Sequence, residues 1–87
     1  MPTGSEDICE GVVRLVSCLC GRDDVAPDTG LMQRGFLDSL NLVRLVMELE
    51  NSFGVRIPRE SVTAANFASG RTIANLIEYL LNRGAAQ

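Results

Sequence analysis

Eighty-seven residues, 46% of them hydrophobic, with a net charge of -3 and no histidine, can bury one core but leave little room for an enclosed active site, so a binding or carrying module is expected before an autonomous enzyme. All eight basic residues are arginines scattered along the chain, without a basic cluster, zinc-finger spacing or interleaved aromatics, which argues against nucleic acid as a partner. No apolar run is long enough to span a bilayer, and the polar, acidic opening "MPTGSEDICEG" lacks the parts of a signal peptide, so no membrane insertion and a cytoplasmic location are expected.

The first helix is expected from Ser5 to Cys20, where Ile8, Val12, Leu15, Val16 and Leu19 recur at spacings of three and four. Glu6, Asp7 and Glu10 suit the positive end of its dipole, and Gly21 stops it. Cys9, Cys18 and Cys20 crowd onto this one helix in a spacing that fits neither a zinc site nor a disulfide framework. They are read as reduced thiols in or beside the core, and no metal is expected.

Residues 21–38, "GRDDVAPDTGLMQRGFLD", form a long connection. Val25, Leu31, Met32, Phe36 and Leu37 are apolar enough to lie across the core, so a packed loop is expected, with a short helical turn at most. The second helix is expected from Ser39 to about Phe53, with Gly54 as its stop and Pro58 just beyond. "GVRIP" reads as an extended connector because no second strand exists to pair with it. "TAANFAS" suggests a short third helix with Thr63 as its cap and Phe67 as its anchor. A last helix begins at Thr72 or a neighbour and runs to about Asn82, with Ile73, Leu76, Ile77, Leu80 and Leu81 as its stripe and "RGAAQ" as a frayed tail. The fold class is therefore all-α: a small four-helix bundle, one domain over 1–87 with its core between about 5 and 82.

The second helix is apolar on two faces. Leu42, Leu45, Val46, Leu49 and Phe53 form a core stripe, whereas Leu40, Val43 and Met47 fall on another side. Either the long loop folds over that second stripe, or the stripe is a docking face for a partner. Ser39 opens this helix. It could be an N-cap, or it could carry a phosphate ester at the positive end of the dipole. It is a poor nucleophile in its own right, because the chain has no histidine or lysine to activate it and Asp38 alone is a weak catalytic set.

The segment "GFLDSLNLVRLVMELENSFGVRIP", followed by "NFASGRTIANLIEYL", resembles the acyl and peptidyl carrier proteins, and the likeness runs from about Ile8 to Asn82. The resemblance implies the family's four-helix fold, with its long loop between helices 1 and 2 and its short third helix. It implies that Ser39 receives 4′-phosphopantetheine from coenzyme A through a phosphopantetheinyl transferase, with Asp38 as the acidic residue before the attachment serine. Leu40, Val43, Arg44 and Met47 would be partner-facing. The further partners implied are a loading ligase, adenylating enzyme or acyltransferase, then synthases, transferases or tailoring enzymes, all served by a monomer that does no chemistry itself. Arg44 departs from the strongly acidic second helix of fatty-acid carriers, so the likeness points to a discrete carrier of natural-product, polyketide or nonribosomal peptide biosynthesis. Housekeeping fatty-acid and D-alanyl-type carriers are the alternatives. From a different class, a small helical adaptor would use the Leu40-Val43-Met47 face while Ser39 merely caps the helix.

Overall fold

The computed structural model describes residues 5–85, and the burial of side chains from Asp7 to Arg83. Three α-helices follow one another: α1 (Ser5–Cys20), α2 (Ser39–Phe53) and α3 (Gly70–Ala85), with a single 3₁₀ turn at Arg59–Ser61 between the last two. α1 has the expected bounds. Its apolar stripe lies inward, with Val12 and Val16 fully buried and Ile8 nearly so. Gly21 adopts a left-handed conformation at φ 66°. The Arg22 amide then donates back to the Ser17 carbonyl at 3.0 Å, satisfying an orphaned carbonyl of the last turn. Gly54, at φ 65°, ends α2 in the simpler manner, its amide donating to Glu50.

Two expectations are corrected. The bundle has three α-helices among the described residues rather than four, because "TAANFAS" turns without becoming helical. Thr63 caps as anticipated, accepting from the Asn66 amide at 3.1 Å, and the Phe67 amide closes one turn onto Thr63. Propagation stops there because Ser69 and Thr72 bond each other's backbone amides and so begin α3 at Gly70. At the other end α3 continues to Ala85, past the Asn82 expected, so Gly84 is no stop; Ala86 and Gln87, the rest of the expected frayed tail, lie outside the described residues.

Residues 21–38 cross the core in turns, burying Leu31, Phe36 and Leu37, with Val25 and Met32 packed at its margin. Three contacts pin this crossing to the start of α3. The Leu31 amide donates to Ala68 at 2.8 Å, the Arg71 amide donates to Pro27 at 2.9 Å, and the Arg71 guanidinium grips both Asp28 oxygens at 2.7 and 3.3 Å. α1 packs against both α2 and α3. In "GVRIP", Gly54 is the left-handed stop of α2 and residues 55–58 belong to no helix or strand, with the Ile57 amide held by the Glu50 carboxylate at 2.8 Å. At the centre Leu31, Leu45, Leu49, Phe67, Ile73 and Ile77 are almost wholly removed from water.

Candidate functional site

The start of α2 is built from the end of α1. The Cys20 thiol donates to the Phe36 carbonyl at 3.1 Å, and the Arg22 guanidinium stacks over the Phe36 ring, 4.5 Å from its centroid. Burial pushes the Cys20 thiol pKa up, so the group stays protonated and keeps this bond at neutral pH. Arg22 is itself oriented by two bonds to Asp24, at 3.0 and 2.9 Å. Phe36 and Leu37 are thereby seated in the core, and the chain emerges at Asp38 and Ser39, both exposed.

The helix cap is Asp38, with extended backbone (φ -98°, ψ -174°) and a carboxylate that accepts the Asn41 amide at 2.8 Å. This corrects one reading of Ser39, which is the first residue inside the helix and does not cap it. Its hydroxyl has no share in closing the first turn. The amides of Ser39 and Leu40 have no intrahelical carbonyl to reach, and together with the dipole they favour negative charge at this point. The arrangement therefore suits a hydroxyl esterified to phosphate better than an attacking nucleophile, for which the chain supplies neither histidine nor lysine.

Beyond Ser39 the two faces of α2 separate. Leu45 and Leu49 are buried, and Leu42, Val46 and Phe53 pack against them as expected. Leu40, Val43 and Met47 are each more than half exposed, so the long loop does not cover them, and Arg44 is exposed beside them. The structure thus brings Asp38, Ser39, Leu40, Val43, Arg44 and Met47 onto one continuous end and flank of α2. The supporting roles of Cys20 and Arg22 were not read from the sequence, since nothing local in it couples residues 20 and 22 to Phe36. Among the described residues no group of three or more His, Cys, Asp or Glu side chains could hold a metal ion, and no helix is long and apolar enough to cross a membrane.

Comparison with known proteins bears on this geometry. Residues 10–80 match the family model described as phosphopantetheine attachment site. The chain is 42% identical to the D-alanyl carrier protein of Lacticaseibacillus casei over 55 residues, covering 61% of this chain and 68% of that protein. It is 29% identical to the acyl carrier protein of Acidothermus cellulolyticus over 84 residues, 94% of both chains. It is also 26% identical to the meromycolate extension acyl carrier protein of Mycobacterium tuberculosis over 82 residues, covering 92% of this chain and 67% of that protein. A match over so much of the chain, with an all-helical fold beneath it, makes this protein a member of the phosphopantetheine attachment-site family: a non-catalytic carrier protein whose cofactor is covalently bound 4′-phosphopantetheine.

Proposed function

We propose that Ser39 is the attachment residue and that the chain, a single carrier domain over 1–87, is a discrete acyl or aminoacyl carrier of specialised biosynthesis. The observation that carries this reading is the division of labour at the start of α2. Asp38 holds the first turn, which leaves the Ser39 hydroxyl exposed and without a structural duty. In the transfer, the Ser39 oxygen bonds to the phosphorus of coenzyme A that bears the pantetheine arm. The phosphoanhydride breaks, adenosine 3′,5′-bisphosphate leaves, and the hydroxyl proton passes to a base of the phosphopantetheinyl transferase. The attached arm supplies a terminal thiol on which an acyl or aminoacyl group is held as a thioester. The chain's own part is to present: Ser39 fixes the root of the arm, and Leu40, Val43, Arg44 and Met47 offer a docking flank to successive enzymes. Tethering raises the local concentration of cargo at each partner, so the docking itself can stay weak.

Specialised biosynthesis is favoured by α2, whose exposed polar residues are the neutral Ser39, Asn51 and Ser52, one acid, Glu48, and the cation Arg44. A D-alanyl cargo is the second reading, supported by the 42% identity to a D-alanyl carrier protein over 55 residues. An adaptor in which Ser39 is only a cap has lost its account of that serine, since Asp38 occupies the cap. The test is intact mass after incubation with a permissive phosphopantetheinyl transferase, Mg²⁺ and coenzyme A, with Ser39→Ala in parallel. Native protein should gain one phosphopantetheine and the variant none. A native chain that stays folded and unmodified with two unrelated transferases would sink the assignment of Ser39.

A further inference from the structure

Charge is unevenly spread about the attachment end. Around it, Asp38 is engaged by its own helix and Asp24 by Arg22, while Asp23 is exposed beside that pair and joins neither ion pair; Asp28 is held by Arg71 at the start of α3. Asp7 and Glu10 lie toward the far end, because α1 and α2 run antiparallel: Gly11 faces the Phe53 ring at the close of α2, and Cys20 reaches Phe36 just ahead of its start. The net charge of -3 is thus a poor guide to what a partner meets at Ser39.

Arg44 stands apart from these pairings. It is exposed, one turn beyond Leu40, and takes part in neither of the two ion pairs among the described residues. At about 100° per residue it projects within roughly 60° of both Leu40 and Met47. Across the helix surface the order is Val43, Met47, Leu40, Arg44 and then Glu48, so an apolar strip is edged by a guanidinium, with the acid farther out. A cation at the border of an apolar contact is partly dehydrated on docking. Opposite a lysine or arginine it repels; opposite a carboxylate it steers the encounter and fixes its register.

We propose that α2 docks on its partner enzymes through an apolar groove that receives Leu40, Val43 and Met47 and carries a carboxylate on its rim opposite Arg44. This rests on the reading of Ser39 as the attachment residue and adds the chemistry of the partner's surface. The transferase is the partner at hand for a test. Native chain, Arg44→Ala, Arg44→Glu and the control Arg14→Glu, altered on the exposed side of α1, are each incubated with coenzyme A and Mg²⁺. One transferase has a carrier groove rimmed by aspartate and glutamate, the other one rimmed by lysine and arginine; kcat and KM for the carrier are read by intact mass.

Native chain should show the lower KM with the acid-rimmed enzyme. Arg44→Glu should raise that KM about tenfold, lower the KM on the basic-rimmed enzyme and leave kcat nearly unchanged, with Arg44→Ala between and all differences shrinking as salt is added. Arg14→Glu should move neither. Transfer to Ser39 with no charge preference, or with native preference for the basic-rimmed enzyme, overturns the carboxylate rim while leaving the attachment assignment standing. No transfer to native chain by either enzyme overturns both.

Discussion

The two faces of α2 have nearly the same composition and opposite fates. Leu45 and Leu49 keep 1% and 0% of their surface, whereas Leu40, Val43 and Met47, on the same helix, keep 63%, 57% and 58%. Hydrophobicity alone does not assign a residue to the core of a small fold; the supply of covering surface does. The crossing loop places Leu31, Phe36 and Leu37 over the interior and spends none of its apolar residues on the outer strip. The fold is complete without that strip, and the strip is therefore available to other molecules.

The sharpest break in this comparison is Leu49→Ala, which removes buried methyls between the helices and should cost about 3 kcal/mol, measured by urea unfolding. Asp38→Ala tests the end that joins the faces. Loss of the cap should cost about 1 kcal/mol, and Asp38→Asn should restore most of it, because Asn caps as well. On the outer face, Val43→Ala and Met47→Ala should each shift stability by no more than about 0.5 kcal/mol while raising KM for the modifying transferase. A stability loss there like that of Leu49→Ala would mean the strip is covered after all.

The smallest effect is set by pH, at the clasp between the loop and α3. The Arg71 guanidinium, first by its hydrogen bond and then by its charge, holds the Asp28 carboxyl below the usual carboxylate range. The native state then binds fewer protons than the unfolded chain. The clasp contributes in full above the ordinary carboxyl pKa and is lost as pH falls through the lowered one. Thermal unfolding of Asp28→Asn across acid pH should show a slightly flatter decline than native chain, and the two should converge once the carboxyl is protonated. Both side chains face water, so the difference is small.

Legibility in the sequence followed the range of the forces involved. α1 and the length of α2 could be read because three-four periodicity and a glycine stop are local signals, and Ser39 stood out through its place at the head of an apolar run. Which of Asp38 and Ser39 caps could not be read: both are good caps, and the choice turns on one residue of register. The segment around Phe67 mimicked a helix because Thr63 does cap it, while the competing bonds of Ser69 and Thr72 belong to the next element. The Asp28–Arg71 clasp joins residues 43 positions apart, and no local pattern announces such a pair.

That separation also sets an order of events during synthesis. The loop that delivers Ser39 is fastened through Leu31 to Ala68 and through Pro27 to Arg71. A ribosome exposes the serine before it releases Ala68 and Arg71, the later partners in those bonds. Until then Ser39 has no seated loop behind it. On the proposed reading of Ser39, a modifying enzyme that recognises the seated mouth of α2 would meet it only once residues 68 to 71 are in place.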